Sequence, residues 1–576
     1  MTFASPFPPV TIPDVSLYDY LFASLDPAAD LDRTAFIDAP SGTAVSFREL
    51  RDRVEAAAGA LSARGVSPGE IVALHAPNSP DYGVAFHGVL RAGAAVTTMP
   101  VLATAEDIAK QLKASHAVAM LVDPALAANA LAGAEAAGLA PDRVILLRET
   151  GDTGHATAGA PPRETGHAGQ ADPSALPQET SDAGQGGPGV LHETGDAGHP
   201  VLSALMRQAP RPPEVSVDAA TQLAALPYSS GTTGRPKGVR LSHRNLVANI
   251  AQVEDRLGVR RDDVVIAVLP FFHIYGMTVL LNLSLRRRST LVTMPRFDLA
   301  DFLGAIARHR VTFAFIAPPI AVALAKHPAV EDYDLSSLRT VFSGAAPLDG
   351  ELGQALADRL GVTVLQGYGM SELSPVSHFT PEAMADSVSC ESVGFAVPNS
   401  VNRLLDPATR EEIPKPESGV SARGELCVKG PNVMLGYLDD ADATDAMIDA
   451  DGFLHTGDVA TVDARGVITI VDRIKELIKY KGYQVAPAEL EALLLTHPAI
   501  ADAAVIGVLD EEGEEVPKAF VVHREADPLT EQQVMDFVAE RVAPYKKVRR
   551  VEFIDAVPKS ASGKILRREL RDREKA

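Results

Sequence analysis

The sequence predicts an α/β fold with β-rich portions. Segments with apolar residues at helical spacing alternate with short apolar runs along most of the chain, which is typical of a parallel sheet covered by helices. The chain has 576 residues, too many for one ordinary domain, and its composition shifts near residue 473. We therefore expect a large N-terminal domain, residues 1–148 and 201–472, and a small C-terminal domain, residues 473–576.

The elements of the large domain follow one another in chain order. FRELRDRVEAAAGALSARG has helical spacing and ends on a glycine, whereas EIVALHAPNS indicates a buried strand that leads into a polar turn. LAALPY resembles a strand end, and HRNLVANIAQVEDRL a helix start. The pattern thus predicts helices at 47–65 and near 350–360, and one that begins at 243. It predicts strands at 70–79, 311–316, 338–344 and 362–369, and one that ends at 228.

Residues 149–200 interrupt this pattern. Glu-Thr recurs at Glu149, Glu164, Glu179 and Glu193 among Gly, Ala, Pro, His and Asp. Such a composition buries too little apolar surface to offset the entropy of ordering, so we interpret the segment as a disordered, low-complexity insertion. Its histidines lack the tight spacing of metal ligands, which favours a solvated linker over a metal site.

The C-terminal stretch has features of a separate small domain. Nine of the fifteen lysines of the chain follow residue 473. TEQQVMDFVAERV begins with Thr530-x-x-Gln533, the pattern of a capping box at a helix start.

Composition argues against several classes of function. The net charge of −22 disfavours nucleic acid or an anionic membrane as the main partner. Only Cys390 and Cys427 are present, so a reducing compartment fits. We find neither a signal peptide at the N-terminus nor an apolar run long enough to span a membrane, and the final DREKA is not a peroxisomal signal. The sequence therefore predicts a cytoplasmic protein.

One loop carries the first chemical signal. Residues 227–245 read PYSSGTTGRPKGVRLSHRN, with glycines that let the backbone approach a ligand closely and hydroxyls and free N–H groups that bind anions. This predicts a phosphate site formed by Ser229, Ser230, Gly231, Thr232, Thr233, Gly234 and Lys237. The Walker pattern does not fit, because Arg235-Pro236-Lys237-Gly238 follows Gly234.

The spelling S-S-G-T-T-G-x-P-K-G-V instead resembles the first signature of the adenylate-forming enzymes, which include acyl-CoA ligases, luciferases and peptide-synthetase adenylation domains. Further segments resemble the same family in the same order. They are SGAAPL at 343–348, QGYGMSE at 366–372, HTGD at 455–458, DRIKELIKYKGYQVAPAELE at 472–491 and PKSASGKILRREL at 558–570. The resemblance covers nearly all of the chain outside the N-terminal tip and the insertion. It implies that the large domain has several subdomains and that the small domain is a mobile α+β domain.

The resemblance implies a role for each residue of an ATP site. Tyr368 would lie along adenine, Asp458 would accept both ribose hydroxyls, and Ser371 (more often Thr in the family) would contact the α-phosphate. Lys237 would bind the β- and γ-phosphates, Glu372 would bind Mg²⁺, and Lys564 would bridge the α-phosphate and the acyl carboxylate. The implied catalytic residues are Lys564, Glu372 and Lys237. Gln366, Gly367, Arg473 and Lys475 complete the implied nucleotide site.

Within this family the chain looks closest to the coumarate/cinnamate-CoA ligases. GELCVKG at 424–430, PFFHIYGM at 270–277 and YKGYQVAPAELE at 480–491 carry this likeness. It implies a planar aromatic acid and coenzyme A as substrates, with ATP and Mg²⁺, and Gly344 and Gly367 would leave flat space for the ring. The implied acyl contacts are His273, Tyr275, Gly344, Ala345, Gly367, Pro375, Val376 and Lys479, and the implied coenzyme A contacts are Lys481 and Gly482.

Other functions stay open at this point. A medium-chain fatty acyl-CoA ligase would need a longer pocket, and a luciferase-like enzyme would add oxygen chemistry. An adenylation domain could pass its acyl group to a carrier protein, and a regulatory module could bind nucleotide without catalysis. Because Lys479 and Lys564 are far apart in the sequence yet both resemble active-site contacts, we also expect the small domain to rotate about a hinge near Asp472 and Lys475.

Overall fold

A nine-stranded, mainly parallel sheet occupies the centre of the large domain. The computed structural model describes residues 2–149, 198–229, 236–480, 483–510, 515–524, 529–559 and 564–574. The inner strands of this sheet pair in parallel, and the strands at its two ends pair antiparallel. In spatial order they are Ala44–Ser46, Thr34–Asp38, Thr290–Thr293, Val264–Ala267, Phe313–Ile316, Thr340–Ser343, Thr363–Gly369, Val376–Phe379 and Phe395–Ala396.

A second sheet of six strands has the same parallel character, with one antiparallel strand at its edge. Its spatial order is Leu241–Ser242, Leu223–Ala225, Ala95–Thr98, Ile71–His75, Ala119–Val122 and Val144–Leu146. Parallel strands need long crossovers, and the helical segments between them supply those crossovers.

The helices of the large domain cover these sheets. They are Leu17–Phe22, Phe47–Ala63, Pro80–Arg91, Ala105–Ser115, Ala127–Ala137, Leu202–Arg207, His243–Val253, Leu283–Arg287, Leu299–His309, Pro318–Lys326, Gly350–Leu360 and Ala441–Met447, with a π-helix at Tyr275–Asn282. Short 3₁₀ turns lie at Pro124–Leu126, Pro141–Arg143, Pro328–Asp332, Ser371–Leu373 and Glu382–Ser387. Most of the buried apolar side chains form one large cluster, and those of Ala105–Ser115 and Ala127–Ala137 form a second one with part of the six-stranded sheet.

The helix Phe47–Ala63 shows how local sequence sets its limits. The hydroxyl of Ser46 accepts a hydrogen bond from the backbone N–H of Glu49 at 3.2 Å, which caps the first turn. Gly65 has φ +81°, a left-handed conformation that ends the helix without a Cβ clash. The predicted helix is therefore confirmed, as are the strands predicted at 311–316, 338–344 and 362–369.

An antiparallel sheet of six strands supplies the predicted β-rich portion. It consists of Phe3–Ala4, Val401–Leu405, Glu412–Ile413, Gly424–Lys429, Leu454–Val462 and Ile468–Arg473. We call it the antiparallel sheet. Its last two strands pair so that Asp458 lies opposite Arg473, which places the HTGD segment beside the start of the small domain.

The small domain has its own sheets and its own apolar clusters. A hairpin joins Ile478–Tyr480 to Tyr483–Val485, and a mixed sheet contains Ile500–Leu509, Glu515–His523 and Arg550–Phe553. Its helices are Pro487–Leu495, Glu531–Ala539 and Arg567–Arg573, and a 3₁₀ turn lies at Pro544–Lys546. The predicted capping box is confirmed: Thr530 and Gln533 cap each other's backbone N–H groups.

The insertion predicted at 149–200 lies outside the described residues except at its two ends. There Leu146 forms a parallel bridge with Val201, and the N–H of Leu146 donates to the carbonyl of Pro200 at 2.9 Å. The two ends of the segment are therefore adjacent in space. Among the described residues, no helix has both the length and the apolar character needed to cross a bilayer.

Candidate active site

Several predicted site residues, among them His273, Gly344 and Gln366, lie at or beyond the carboxyl ends of the central parallel strands. Open α/β sheets bind ligands at this edge, because the loops that follow the strands converge there. Gln366 is buried within Thr363–Gly369, at the last parallel pairing of that strand, and holds two of these loops. Its Oε1 accepts from the N–H of Leu348 at 2.6 Å, and its Nε2 donates to the carbonyls of Cys390 and Ser392. In this structure Gln366 therefore shapes the crevice through backbone contacts.

The predicted phosphate loop connects the two short strands of a hairpin. Ser229 pairs with Lys237, and Tyr228 pairs with Gly238. The predicted residues Ser230, Gly231, Thr232, Thr233 and Gly234 lie outside the described residues. The ammonium of Lys237 is 3.4 Å from a carboxylate oxygen of Asp440 and 5.0 Å from the centre of the Tyr437 ring.

Glu372 is buried in the 3₁₀ turn Ser371–Leu373. Its Oε1 accepts two hydrogen bonds of 2.9 Å, one from the hydroxyl of Ser229 and one from that of Tyr437. Its Oε2 accepts no hydrogen bond from the described residues, so this oxygen has lone pairs free for a cation. A carboxylate fixed in this way fits Mg²⁺, which is held in proteins by one or two carboxylates together with substrate phosphates.

Asp458 lies between two donors at the junction of the domains. The hydroxyl of Tyr368 donates to its Oδ2 at 2.5 Å, and Nε of Arg473 lies 3.1 Å from its Oδ1. Burial and the adjacent carboxylate raise the pKa of Tyr368 well above its usual value, so its hydroxyl keeps its proton. Asp458 is therefore held in one orientation at the edge of the crevice.

Lys564 comes close to both parts of the predicted site. Burial and the nearby guanidinium of Arg473 lower the pKa of Lys564 to about 8, against the opposing charge of Asp458. The pKa of His273 falls to about 4 through burial, and the charge of Lys564 acts in the same direction. One lysine of the small domain thus interacts with the candidate acyl wall and with the ribose carboxylate.

The other small-domain residues are described to different extents. Lys475 is exposed. The backbone of Lys479 pairs with Gln484 in the first hairpin of the small domain. Lys481 and Gly482, the predicted coenzyme A contacts, lie outside the described residues.

The segment PFFHIYGM forms a wall that side chains from elsewhere hold in place. The side chain of Asn78 bonds to the backbone of Ala267, Leu269 and Phe271 at 2.7–3.0 Å, and the hydroxyl of Thr98 donates to Phe272 O at 2.6 Å. The Nδ1 of His273 accepts from the N–H of Tyr275 at 3.4 Å. The proton of the neutral ring is therefore on Nε2, where it can be donated to a ligand. A π-helix begins at Tyr275, a geometry frequent at functional sites.

The two glycines of the predicted acyl pocket correct one expectation. A Cβ built on Gly344 would lie 2.9 Å from the Tyr275 ring, and one on Gly367 would lie 2.6 Å from the Phe342 ring. These glycines therefore leave no flat space on that side, because the protein's own aromatic rings fill it. The hydroxyl of Tyr275 donates to the carbonyl of Phe342 at 3.3 Å, so the two rings belong to one packed wall.

The remaining predicted acyl contacts lie on two loops. Ala345 is exposed with φ +71°, whereas Pro375 and Val376 are buried. Asn249 holds Val376 through hydrogen bonds to its N–H and its carbonyl, at 3.0 and 2.7 Å.

Sequence reasoning missed Tyr437, Asn78 and Asn249. Tyr437 follows GELCVKG in a segment that gave no pattern, and the two asparagines lie in or next to predicted helices and strands. Each acts through a contact with a residue far away in the chain. Polar residues buried inside apolar segments, such as Asn249 within a buried helix, were the signal that the sequence offered.

Comparison with known proteins agrees with this geometry. Residues 26–438 match the profile described as AMP-binding enzyme, and residues 489–564 match the AMP-binding enzyme C-terminal domain. The chain is 41% identical to 4-coumarate–CoA ligase 5 of Oryza sativa subsp. japonica over 99% of this chain and 96% of that protein. It belongs to the AMP-binding enzyme family. To 4-coumarate–CoA ligase 1 of Petroselinum crispum it is 37% identical over 100% of this chain and 97% of that protein.

Solved structures of this family share the fold. ATP-bound MatB from Rhodopseudomonas palustris superposes with a TM-score of 0.80 at 28% identity, covering 97% of this chain and 99% of that one. The benzoate CoA ligase from Burkholderia xenovorans LB400 gives a TM-score of 0.79 at 25% identity, covering 97% of this chain and 100% of that one. The predicted two-domain α/β fold and the adenylate-forming resemblance are thereby confirmed. As an AMP-forming acid–thiol ligase, the protein uses ATP, Mg²⁺ and coenzyme A.

Proposed function

We propose that this protein activates a planar aromatic acid of the cinnamate or 4-coumarate type as an acyl adenylate and transfers the acyl group to coenzyme A. The observation that carries the proposal is the geometry of Glu372 beside the predicted phosphate loop, a buried carboxylate whose Oε1 accepts hydrogen bonds from the hydroxyls of Ser229 and Tyr437. Lys564 would supply a cation from the small domain, and its charge also lowers the pKa of His273 in the acyl wall.

The first half-reaction follows from this arrangement. A carboxylate oxygen attacks the α-phosphorus of ATP, the new O–P bond forms, and the bond to pyrophosphate breaks. Negative charge collects around phosphorus, so cations and donors fixed beforehand lower the barrier. Lys564 supplies charge at the α-phosphate, and Lys237 supplies it at the leaving pyrophosphate. Mg²⁺, when bound at Glu372, neutralises phosphate charge.

The second half-reaction uses the thiol of coenzyme A. Its sulfur attacks the acyl carbon, the C–O bond to AMP breaks, and the thiol proton is lost. We assign the coenzyme A path to Lys481 and Gly482 by their resemblance to the family motif, and we place the domain boundary at 472/473. We also propose a cytoplasmic location, where coenzyme A and ATP are available and where Cys390 and Cys427 remain thiols.

Two observations support an aromatic acid. The relatives that match along the full chain are named 4-coumarate–CoA ligases. The acyl wall of this chain presents His273 beside Tyr275, and Nε2–H of the neutral imidazole can donate to a phenol oxygen. A matched apolar contact changes preference by roughly 10- to 200-fold.

The deciding experiment compares kcat/KM for cinnamate, 4-coumarate and octanoate while measuring both pyrophosphate release and thioester formation. We expect the two aromatic acids to exceed octanoate by at least about tenfold. A preference for octanoate would refute the aromatic pocket and favour a fatty acyl-CoA ligase. Pyrophosphate release without thioester would point to a carrier protein as acceptor, and no release with any acid would point to a regulatory module.

Single-turnover assays test the assigned role of Lys564. Lys564→Ala should slow adenylate formation by roughly 100- to 1000-fold, the scale for losing one charge-stabilising donor. It should still convert presynthesised acyl adenylate and coenzyme A into thioester at a near-normal rate. Rotation about the predicted hinge would give the small domain two positions, and this two-position hypothesis assigns thioester formation to another face of that domain. Lys559→Ala is the matched control, because Lys559 lies nearby in the sequence and pairs with Asp502 at 2.6 Å. Equal slowing of both half-reactions by Lys564→Ala would exclude the two-position hypothesis.

A further inference from the structure

Three potential metal ligands lie together on the antiparallel sheet of the large domain, in a cluster that the proposed reaction does not use. Cys427 and His455 are opposite each other on the paired strands Gly424–Lys429 and Leu454–Val462. Glu425 and Cys427 are two positions apart on the same strand, so their side chains lie on the same face of the sheet. Glu425 and Cys427 are buried, and 15% of the His455 side chain is exposed.

The donor atoms of this cluster all lie within 4.8 Å of one another. Nδ1 of His455 is 3.3 Å from Sγ of Cys427 and 3.2 Å from Oε2 of Glu425. In a tetrahedral site with metal–ligand bonds of about 2.0–2.3 Å, neighbouring donor atoms lie about 3.3–3.7 Å apart. The observed separations are therefore close to those of a bound ion and need only small side-chain shifts.

A second carboxylate orients the histidine. Nε2 of His455 lies 3.2 Å from Oδ2 of Asp449, while Oδ1 of Asp449 accepts from the N–H groups of Asp451 and Phe453 at 3.0 and 2.9 Å. Histidine ligands commonly donate their distal N–H to a carboxylate, which fixes the ring and leaves the other nitrogen for the metal. Here the carboxylate is on the distal side of the ring, and Cys427 and Glu425 are on the side of Nδ1.

The guanidinium of Arg410 balances the charge of the cluster. The guanidinium of Arg410 contacts Glu425 and lies 3.0 Å from Nδ1 of His455, yet 51% of its side chain is exposed. An exposed arginine can move into water at little cost, which would open the fourth coordination position to solvent. The cluster is also separate from the nucleotide carboxylate, since Asp458 interacts with Tyr368 and Arg473 instead.

We propose that Glu425, Cys427 and His455 form a binding site for a thiophilic divalent cation such as Zn²⁺, with Asp449 as the carboxylate behind the histidine. Thiolate and imidazole ligands favour Zn²⁺ over Mg²⁺, so the site is distinct in chemistry from the Mg²⁺ position at Glu372. The ion displaces Arg410 and links two adjacent strands, one of which carries Asp458. Binding also releases the proton of the thiol, as metal binding to cysteine requires.

The test is a titration of the chelator-treated full-length protein with Co²⁺ and then Zn²⁺. We expect one Co²⁺ per chain with a thiolate-to-cobalt absorption band, and displacement of that band by Zn²⁺. Cys427→Ser should abolish the band, whereas the matched control Cys390→Ser should keep it. The histidines of the insertion contribute no thiolate, so the band distinguishes this site from binding there.

Two further variants test the geometry. Arg410→Ala removes the competing cation and should tighten binding, while Asp449→Asn should weaken it by about 10- to 100-fold, the usual effect of losing a carboxylate behind a histidine ligand. Melting temperatures of the metal-free variants show whether each one folds. The proposal fails if neither the wild type nor Arg410→Ala binds one ion per chain, or if the thiolate band survives in a folded Cys427→Ser variant.

Discussion

Tyr437 offers a sharp test of how Glu372 is held. Its hydroxyl donates to Oε1 of Glu372 at 2.9 Å, and its ring lies 5.0 Å below the ammonium of Lys237. Tyr437→Phe removes the hydroxyl and leaves the ring. The substitution therefore separates the hydrogen bond to the candidate Mg²⁺ ligand from the contact with the phosphate-loop lysine.

The expected magnitude follows from the charge of the acceptor. A hydrogen bond to an ionised group contributes about 1.5–3 kcal/mol, which corresponds to roughly 10- to 150-fold. Ser229 still donates to the same oxygen, so we expect the lower half of that range. Adenylate formation should slow, and the Mg²⁺ concentration needed for half-maximal pyrophosphate release should rise, because the carboxylate is no longer fixed.

Tyr20→Phe is the matched control. The hydroxyl of Tyr20 donates to Glu254 at 3.1 Å and Arg286 lies over its ring, so the same kinds of contact occur away from the site. The control should lose similar thermal stability and keep its Mg²⁺ dependence. If Tyr437→Phe behaves as this control does, the hydroxyl stabilises the fold alone and our reasoning about Glu372 is wrong.

Three further outcomes follow from the structure. Gly344→Ala should lower kcat/KM for the acid and cost about 1–3 kcal/mol of stability, because its Cβ would displace the Tyr275 ring; unchanged acid kinetics would contradict this placement. Since Lys564 has a pKa of about 8 and is positive only below it, kcat/KM for adenylation should fall as pH rises above that value. Lys564→Arg, which stays charged, should be slower but lose this alkaline fall, and an unchanged fall would assign it to another group. Replacing the insertion with a short Gly/Ser linker should leave melting temperature and kcat/KM unchanged, since Leu146 and Pro200 already hold its ends together, and a tenfold loss of kcat/KM would show that it acts.

The sequence was sufficient to predict elements and motifs whose signal is local. The helix at 350–360 and the strand at 362–369 were predicted nearly to the residue, because periodicity and a terminal glycine are properties of short segments. The roles predicted for Asp458 and Lys564 came from the resemblance of two short motifs. In the structure the charge of Asp458 raises the pKa of Lys564, against the larger effects of burial and Arg473.

What the sequence could not predict depends on long-range packing. Asn78 holds a loop almost 200 residues away, and the spacing of residues around it contains no trace of that contact. The flat space expected beside Gly344 was wrong for the same reason. A glycine shows that something approaches the backbone closely, and only the fold shows that the approaching group is Tyr275 and not a ligand.

Asp458 connects nucleotide binding to the position of the small domain. A carboxylate has about four lone-pair positions; the hydroxyl of Tyr368 donates to Oδ2 of Asp458, and Arg473 forms an ion pair at Oδ1, which we assign one position there. One position per oxygen is then left, which matches the two hydroxyls of a ribose. Arg473 is the first residue after the proposed boundary, so rotation there would alter the contact that orients the carboxylate. Binding of the ribose and the domain position would then influence each other equally, as linkage requires. We expect Arg473→Gln to weaken AMP binding and to change the ratio of the two half-reaction rates together. A loss of AMP affinity with an unchanged ratio would show that this contact serves the nucleotide alone.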